Sequence, residues 1–177
     1  PHQPDGIWKV VYSGHRWATS AGEDKYRRGL YTYLRRTSPY PSALLFDTGS
    51  GETCTIRRIR TNTPTAALVT LNDSVYVEAA QAFARRILKE GGNTVTEQLN
   101  YAFFVATARE ATPDEFKKLE ARLTTELDHF KQQAEDARLL ATDPLGPLPA
   151  GLSPEAAAAW TVIAGILLNL DEVLTKG

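Results

Sequence analysis

The chain has 177 residues, 42% of them hydrophobic and 23% charged, a balance that fits a globular domain and excludes a disordered chain. A formal net charge of −1 makes it a poor nucleic-acid binder, and no apolar run approaches the ~20 residues needed to span a bilayer. Its single cysteine, Cys54, excludes an intramolecular disulfide and any multi-cysteine zinc site.

The chain begins at Pro1 and contains no methionine, which reads as an excerpt or a processed product. The small net charge hides an asymmetry. Residues 1–62 carry ten Lys/Arg against five Asp/Glu, a balance of +5, and residues 63–177 carry ten against sixteen, or −6. A basic and an acidic part in one small fold are expected to neutralise each other largely within the chain.

Residues 1–24 scatter Trp8, Tyr12 and Trp17 among Pro, Gly, His and Ser, and read as an irregular arm packed by its aromatics. From Glu23 to Arg36, the spacing of Tyr26, Leu30, Tyr33 and Leu34 predicts one amphipathic helix, weakened at Gly29. The two prolines of Thr37–Ser42 enforce extended backbone. Ala43–Phe46 is a short apolar plug before the turn Thr48-Gly49-Ser50-Gly51.

Helix punctuation sharpens from Thr63 onward. Thr63 can cap a short helix opened by Pro64 and reaching about Leu71. Asn72 or Asp73 caps the next, through Ala79, Phe83 and Ile87 to a stop at Gly91-Gly92. Thr94-x-x-Glu97 is a capping box for a helix through Tyr101, Phe104 and Val105 to about Arg109. Thr112-Pro113-Asp114-Glu115 opens a helix whose stripe is Phe116, Leu119, Leu123, Leu127 and Phe130. Asp143–Gly151 is a Pro/Gly loop. Ser153-Pro154-Glu155 starts a last helix that is apolar nearly all round and runs to about Leu174, the pattern of a bundle's central member. The expected fold is therefore mainly α: a bundle of four to five helices with an irregular, basic, aromatic-rich N-terminal arm. One domain is expected over 1–177, with the arm and a short helix in 1–62 and the bundle in 63–177.

Several motifs tempt a catalytic reading. Phe46-Asp47-Thr48-Gly49-Ser50 matches an aspartic-protease string, but that chemistry needs a second such loop in an all-β scaffold, and Asp-Thr-Gly-Ser is also ordinary turn sequence. His2, His15 and His129 follow no ligand spacing, so no metal is expected. Cys-x-x-Cys-His is missing, so this segment does not itself attach a c-type haem, and no cofactor is expected in it. Cys54 is expected to be a buried, inert thiol. Asn72-Asp73-Ser74 matches a glycosylation sequon, yet the same residues make a natural helix cap.

The least ordinary feature is a set of arginines: Arg27, Arg28, Arg35, Arg36, Arg57, Arg58 and Arg60. Their planar forks suit bidentate bonds to carboxylate, sulfate or phosphate, making them candidate anion- or partner-binding residues. They serve equally to satisfy carbonyls of an irregular backbone or to pair with acids, which is the favoured reading. Asp47, Asn62, Asn72 and Asp73 are candidate structural polar residues around them.

The succession PDGIW, YRRGLYTYLRRTSPYPS, RRIRTNTPTAALVTLND and LLNLDEVLTKG resembles the C-terminal domain of unknown function of large planctomycete-type exported proteins that carry a cytochrome c domain near their N-terminus. The resemblance covers essentially the whole chain. It implies the C-terminal segment of a larger protein outside the cytoplasm, in the periplasm or at the cell surface, and it supplies no catalytic residues. The reading that follows is a non-catalytic interaction or scaffold module whose partners are upstream domains of the same protein or another protein. One alternative is a module binding acidic or sulfated polysaccharide through the arginines. Another is part of an enzyme whose site is shared with upstream domains, using Asp47 or Asp73.

Overall fold

The computed structural model describes residues 1–3, 6, 16–35, 38–48, 54, 56 and 63–175. Its α-helices are α1 (Pro41–Leu45), α2 (Pro64–Asn72), α3 (Ser74–Glu90), α4 (Val95–Thr107), α5 (Pro113–Gln132), α6 (Ala134–Thr142), α7 (Pro154–Leu168) and α8 (Asp171–Leu174), and no strand occurs among the described residues. The mainly helical class read from the sequence is what the chain adopts. It divides into two compact units, Pro1–Val69 and Thr70–Gly177, with α2 running across the division.

In the second unit, cap chemistry sets most of the helix starts. The Asp73 carboxylate accepts from the Val75 amide at 2.9 Å and opens α3. Thr94 and Glu97 form the reciprocal capping box of α4, and Thr112 and Glu115 do the same for α5 with Pro113 in its first turn. Ser153 Oγ accepts from the Ala156 amide at 3.1 Å, with Pro154 at the start of α7. Each start falls where the sequence puts it, because each cap satisfies amides that a helix N-terminus otherwise leaves without partners.

Helix α7 is the centre of the unit. Ala157, Ala158, Ala159, Trp160, Ile163, Ala164 and Leu167 are all buried, and α3, α5 and α6 pack against it. Facing it are Ala80, Ala84 and Ile87 of α3, Leu119, Leu123 and Phe130 of α5, and Ala137 and Ala141 of α6. Alanines on both sides let the axes approach closely, while each large residue such as Leu123 or Ile163 contributes about 1.5–3 kcal/mol by leaving water. Helix α4 packs on α3, α5 and α7, and α8 closes against α4 and α7.

Two expectations change in this unit, and one helix, α6, was not among those expected. The last helix does not run to Leu174. It ends at Leu168, where the Asn169 amide donates back to the Gly165 and Ile166 carbonyls, and the Asn169 side chain accepts from Thr70 Oγ1 at 2.7 Å. Leu170 is then extended (ψ 140°), and α8 follows as a separate turn. The buried face of α4 is Leu99, Ala102 and Phe103, whereas Phe104 and Val105 are exposed. Beyond Phe130 the chain stays helical, breaking only at Gln133 (φ −122°, ψ 64°) before α6.

The α6–α7 connection, 143–153, is the expected loop, with a cis Asp143–Pro144 bond. It is held by two polar side chains of α3. Gln81, 1% exposed, donates from Nε2 to the carbonyls of Leu140 and Asp143 (2.6 Å each) and accepts the Leu145 amide on Oε1 at 3.0 Å. Arg85 donates to the Ala141 and Gly146 carbonyls. These bonds satisfy backbone groups of the C-terminus of α6 and the loop after it, where intrahelical partners run out.

In the first unit the expected helix over Glu23–Arg36 does not form. Gly22–Tyr26 and Gly29–Tyr31 are short 3₁₀ turns, separated by extended Arg27 (ψ 146°) and Arg28 (ψ 149°). The stripe that predicted a helix is instead turned outward, with Tyr26 63%, Leu30 82%, Tyr33 68% and Leu34 52% exposed. The physical reason is local. Ala21 offers no side-chain cap, Gly22 sits at φ 60°, and Gly29 interrupts the middle. A segment of this length without a packed face is marginal as a helix. The Trp17 indole N–H donates to the Pro1 carbonyl at 2.8 Å, and its ring stacks on Tyr40 at 6.4 Å, tying the N-terminus to the start of α1.

Candidate functional site

The described part of the first unit contains a hollow of about 390 Å³, built on residues that precede, form and follow the two 3₁₀ turns. Arg16, Trp17, Asp24, Arg27, Tyr31 and Tyr33 line it. Proximity follows from the turns themselves. The first places Asp24 and Arg27 at i and i+3, so Arg27 Nε donates to Asp24 Oδ1 at 2.8 Å, and the second brings the Tyr31 ring to 5.8 Å from the Arg27 guanidinium. Both members of the ion pair are well exposed, at 60% and 63% of their side chains, so the pair contributes little to stability and orients the guanidinium. Among the described side chains lining it, Arg16, Arg27 and Asp24 carry one net positive charge beside the aromatic Trp17, Tyr31 and Tyr33.

The candidate arginines distribute unevenly. Arg27 lines the hollow, Arg28 is exposed beside it, and Arg35 is half-buried. Arg36, Arg57, Arg58 and Arg60, with Asn62, lie outside the described residues. Asp73 caps α3, and Asn72 is the exposed last residue of α2. Asp47 takes a left-handed φ of 56° just after α1, in a turn where the Thr48 amide donates to the Ala43 carbonyl at 3.0 Å. That is the turn role available to Asp-Thr-Gly-Ser, whose Gly49 and Ser50 lie outside the described residues. Cys54 is exposed, not buried as expected. His2 and His129 are exposed, and His15 is outside the described residues.

Arg16, Trp17 and Asp24 were not singled out from the sequence as site residues. Their signal is faint: an Arg-Trp pair followed by an Asp-x-x-Arg spacing. A second set of polar residues also escaped that reading. Arg109 bridges Glu115 of α5 (Nη2–Oε1 2.7 Å) and Glu172 of α8 (Nη2–Oε1 2.8 Å), and its guanidinium lies 4.8 Å from the Phe103 ring centroid. Bidentate arginine therefore joins the α4–α5 connection to both helices.

The electrostatic effects of this clamp are the largest in the second unit. Hydrogen bonds from Arg109 and then from the Thr112 amide and hydroxyl lower the Glu115 carboxyl from 4.5 to about 2, and the same carboxylates raise the Arg109 guanidinium further. A folded-state pKa below the unfolded value adds stability that is complete above about pH 4.5 and disappears as pH falls toward about 2. Glu115→Gln is accordingly expected to lower the thermal midpoint near neutral pH, and the gap to the wild type is expected to close between about pH 4.5 and about pH 2. A gap that persists undiminished at the acid end, measured by circular dichroism melts, would contradict the clamp.

Residues 1–123 match a family described as a protein of unknown function (DUF1553), PSD1. The match takes in the hollow, α1–α4 and the first half of α5. No curated protein and no solved structure matches the chain. With 123 of its 177 residues aligned, the chain belongs to the PSD1 family of proteins of unknown function (DUF1553).

Proposed function

We infer that this chain is a non-catalytic interaction module of a longer exported polypeptide, docking through its first unit onto upstream domains of that polypeptide. The observation that carries this reading is the run of large apolar side chains turned to solvent within nine residues: Tyr26, Leu30, Tyr31, Tyr33 and Leu34. Single exposed leucines are ordinary, but such a cluster marks a surface that gains by being covered. Tyrosine and arginine interleave in it, the residue types that supply most binding energy at interfaces. The resemblance to C-terminal domains of multidomain exported proteins supports the choice of partner and the extracytoplasmic address. The most strongly perturbed ionisable pair, Arg109 with Glu115, is committed to joining helices, which fits a scaffold.

The test uses calorimetric titration of the upstream part of the natural polypeptide into this chain. A complex is expected, and Leu30→Asp/Leu34→Asp is expected to weaken it at least tenfold, about 1.4 kcal/mol, with helical circular dichroism unchanged. Those two side chains support no packed core, so the fold survives the change. No complex, or one that the double variant binds equally well, overturns the reading.

A further inference from the structure

We propose that the hollow lined by Arg16, Trp17, Asp24, Arg27, Tyr31 and Tyr33 binds an acidic sugar carrying one negative charge per residue, a uronic acid or a sulfate monoester. Its chemistry divides the way such a ligand does. A pyranose ring has an apolar C–H face and a polar rim, and the hollow sets the aromatic side chains Tyr31, Tyr33 and Trp17 beside groups that bond hydroxyls and anions.

Charge narrows the ligand further. Asp24 holds the Nε edge of Arg27 at 2.8 Å, which leaves the outer guanidinium nitrogens for a carboxylate, sulfate or hydroxyl. The free oxygen of Asp24 accepts from sugar hydroxyls, and Arg16 adds the second cation. Among the described side chains that line the hollow, two cations and one carboxylate sum to +1, which suits a monoanion. The volume of about 390 Å³ lies near the lower end of the ~300–1,000 Å³ of small-molecule sites, room for a mono- or disaccharide unit. Arg16, Ala18 and Ser20, which also line it, are exposed.

Tyr31 and Tyr33 belong both to the exposed apolar run and to the hollow. Leu30 and Leu34 do not line the hollow and Arg16 lies outside the run, so Leu30→Asp/Leu34→Asp and Arg16→Ala let the two readings fail separately. The experiment is calorimetry of the intact chain at low salt with four probes: an oligogalacturonate, a sulfated galactan oligosaccharide, the matching neutral galactan, and poly-glutamate. The expected result is binding of one or both acidic sugars, no binding of the neutral one, and a loss of at least tenfold in Arg16→Ala and Tyr31→Ala. Which acidic probe binds tells carboxylate from sulfate. Arg28→Ala, exposed but outside the hollow, and Leu30→Asp/Leu34→Asp are expected to bind as the wild type does. Unchanged circular dichroism and melting in the variants separates lost binding from lost fold. Equal weakening by Arg28→Ala, equal binding of poly-glutamate, or no binding of either acidic sugar overturns the proposal.

Discussion

Gln81→Leu is expected to destabilise the second unit by about 3 kcal/mol, although leucine is close in size and better suited to a buried position. Gln81 is 1% exposed and saturates its amide with two carbonyls, Leu140 and Asp143, and one amide, Leu145. Leucine strands all three, and each buried polar group left without a partner costs ~1–3 kcal/mol, partly relieved when the loop shifts toward water. In a chain of this size that is a fall of roughly 6–12 °C in melting temperature. Urea unfolding measures it directly. A change below about 0.5 kcal/mol would mean that the α6–α7 loop does not depend on α3, contrary to the bonds described.

Two glycines give the second large effect, with opposite signs. Gly91 ends α3 at an ordinary φ of −78°, so its need for glycine is spatial. A Cβ there would stand 2.6 Å from the Ile87 carbonyl oxygen and 3.1 Å from the Gln98 Cα, both backbone atoms that cannot turn aside. Gly91→Ala is expected to cost about 2 kcal/mol by pushing the start of α4 off the end of α3. Gly165, inside α7, has only Leu71 Cδ2 near its virtual Cβ, at an ordinary 3.9 Å. Gly165→Ala is expected to stabilise by about 0.5–1 kcal/mol, because alanine loses less backbone freedom on entering a helix. Denaturant midpoints of the pair decide it, and two changes of the same sign would contradict the geometry.

What was legible in the sequence was mostly what is local. Thr94 with Glu97, Thr112 with Pro113 and Ser153 with Pro154 announce helix starts through bonds that span three residues, and the structure makes those bonds. The all-apolar last helix announced its own central place. Long-range polar contacts were not legible. Gln81 reads as a surface residue until the 140–145 loop arrives, and Asn169 reads as helical until Thr70 takes its side chain. The Tyr26–Leu34 stripe misled because helical spacing only produces a helix when something packs against the stripe, and here it faces solvent. The hollow was invisible for a related reason: turn geometry, not periodicity, brings Arg16, Asp24 and Tyr31 to one place.

Hydrogen exchange on residues 26–34 tests the central claim, that this surface is a docking face, most directly. In the isolated chain the turn bonds of Arg27 to Asp24, Tyr31 to Arg28 and Thr32 to Gly29 lie in short 3₁₀ turns with no buried residue, and rapid exchange is expected. In the complete natural polypeptide the account predicts that the same amides slow by at least tenfold, while those of α7, already in the core, are unchanged. Equal exchange of residues 26–34 in the two forms would contradict it.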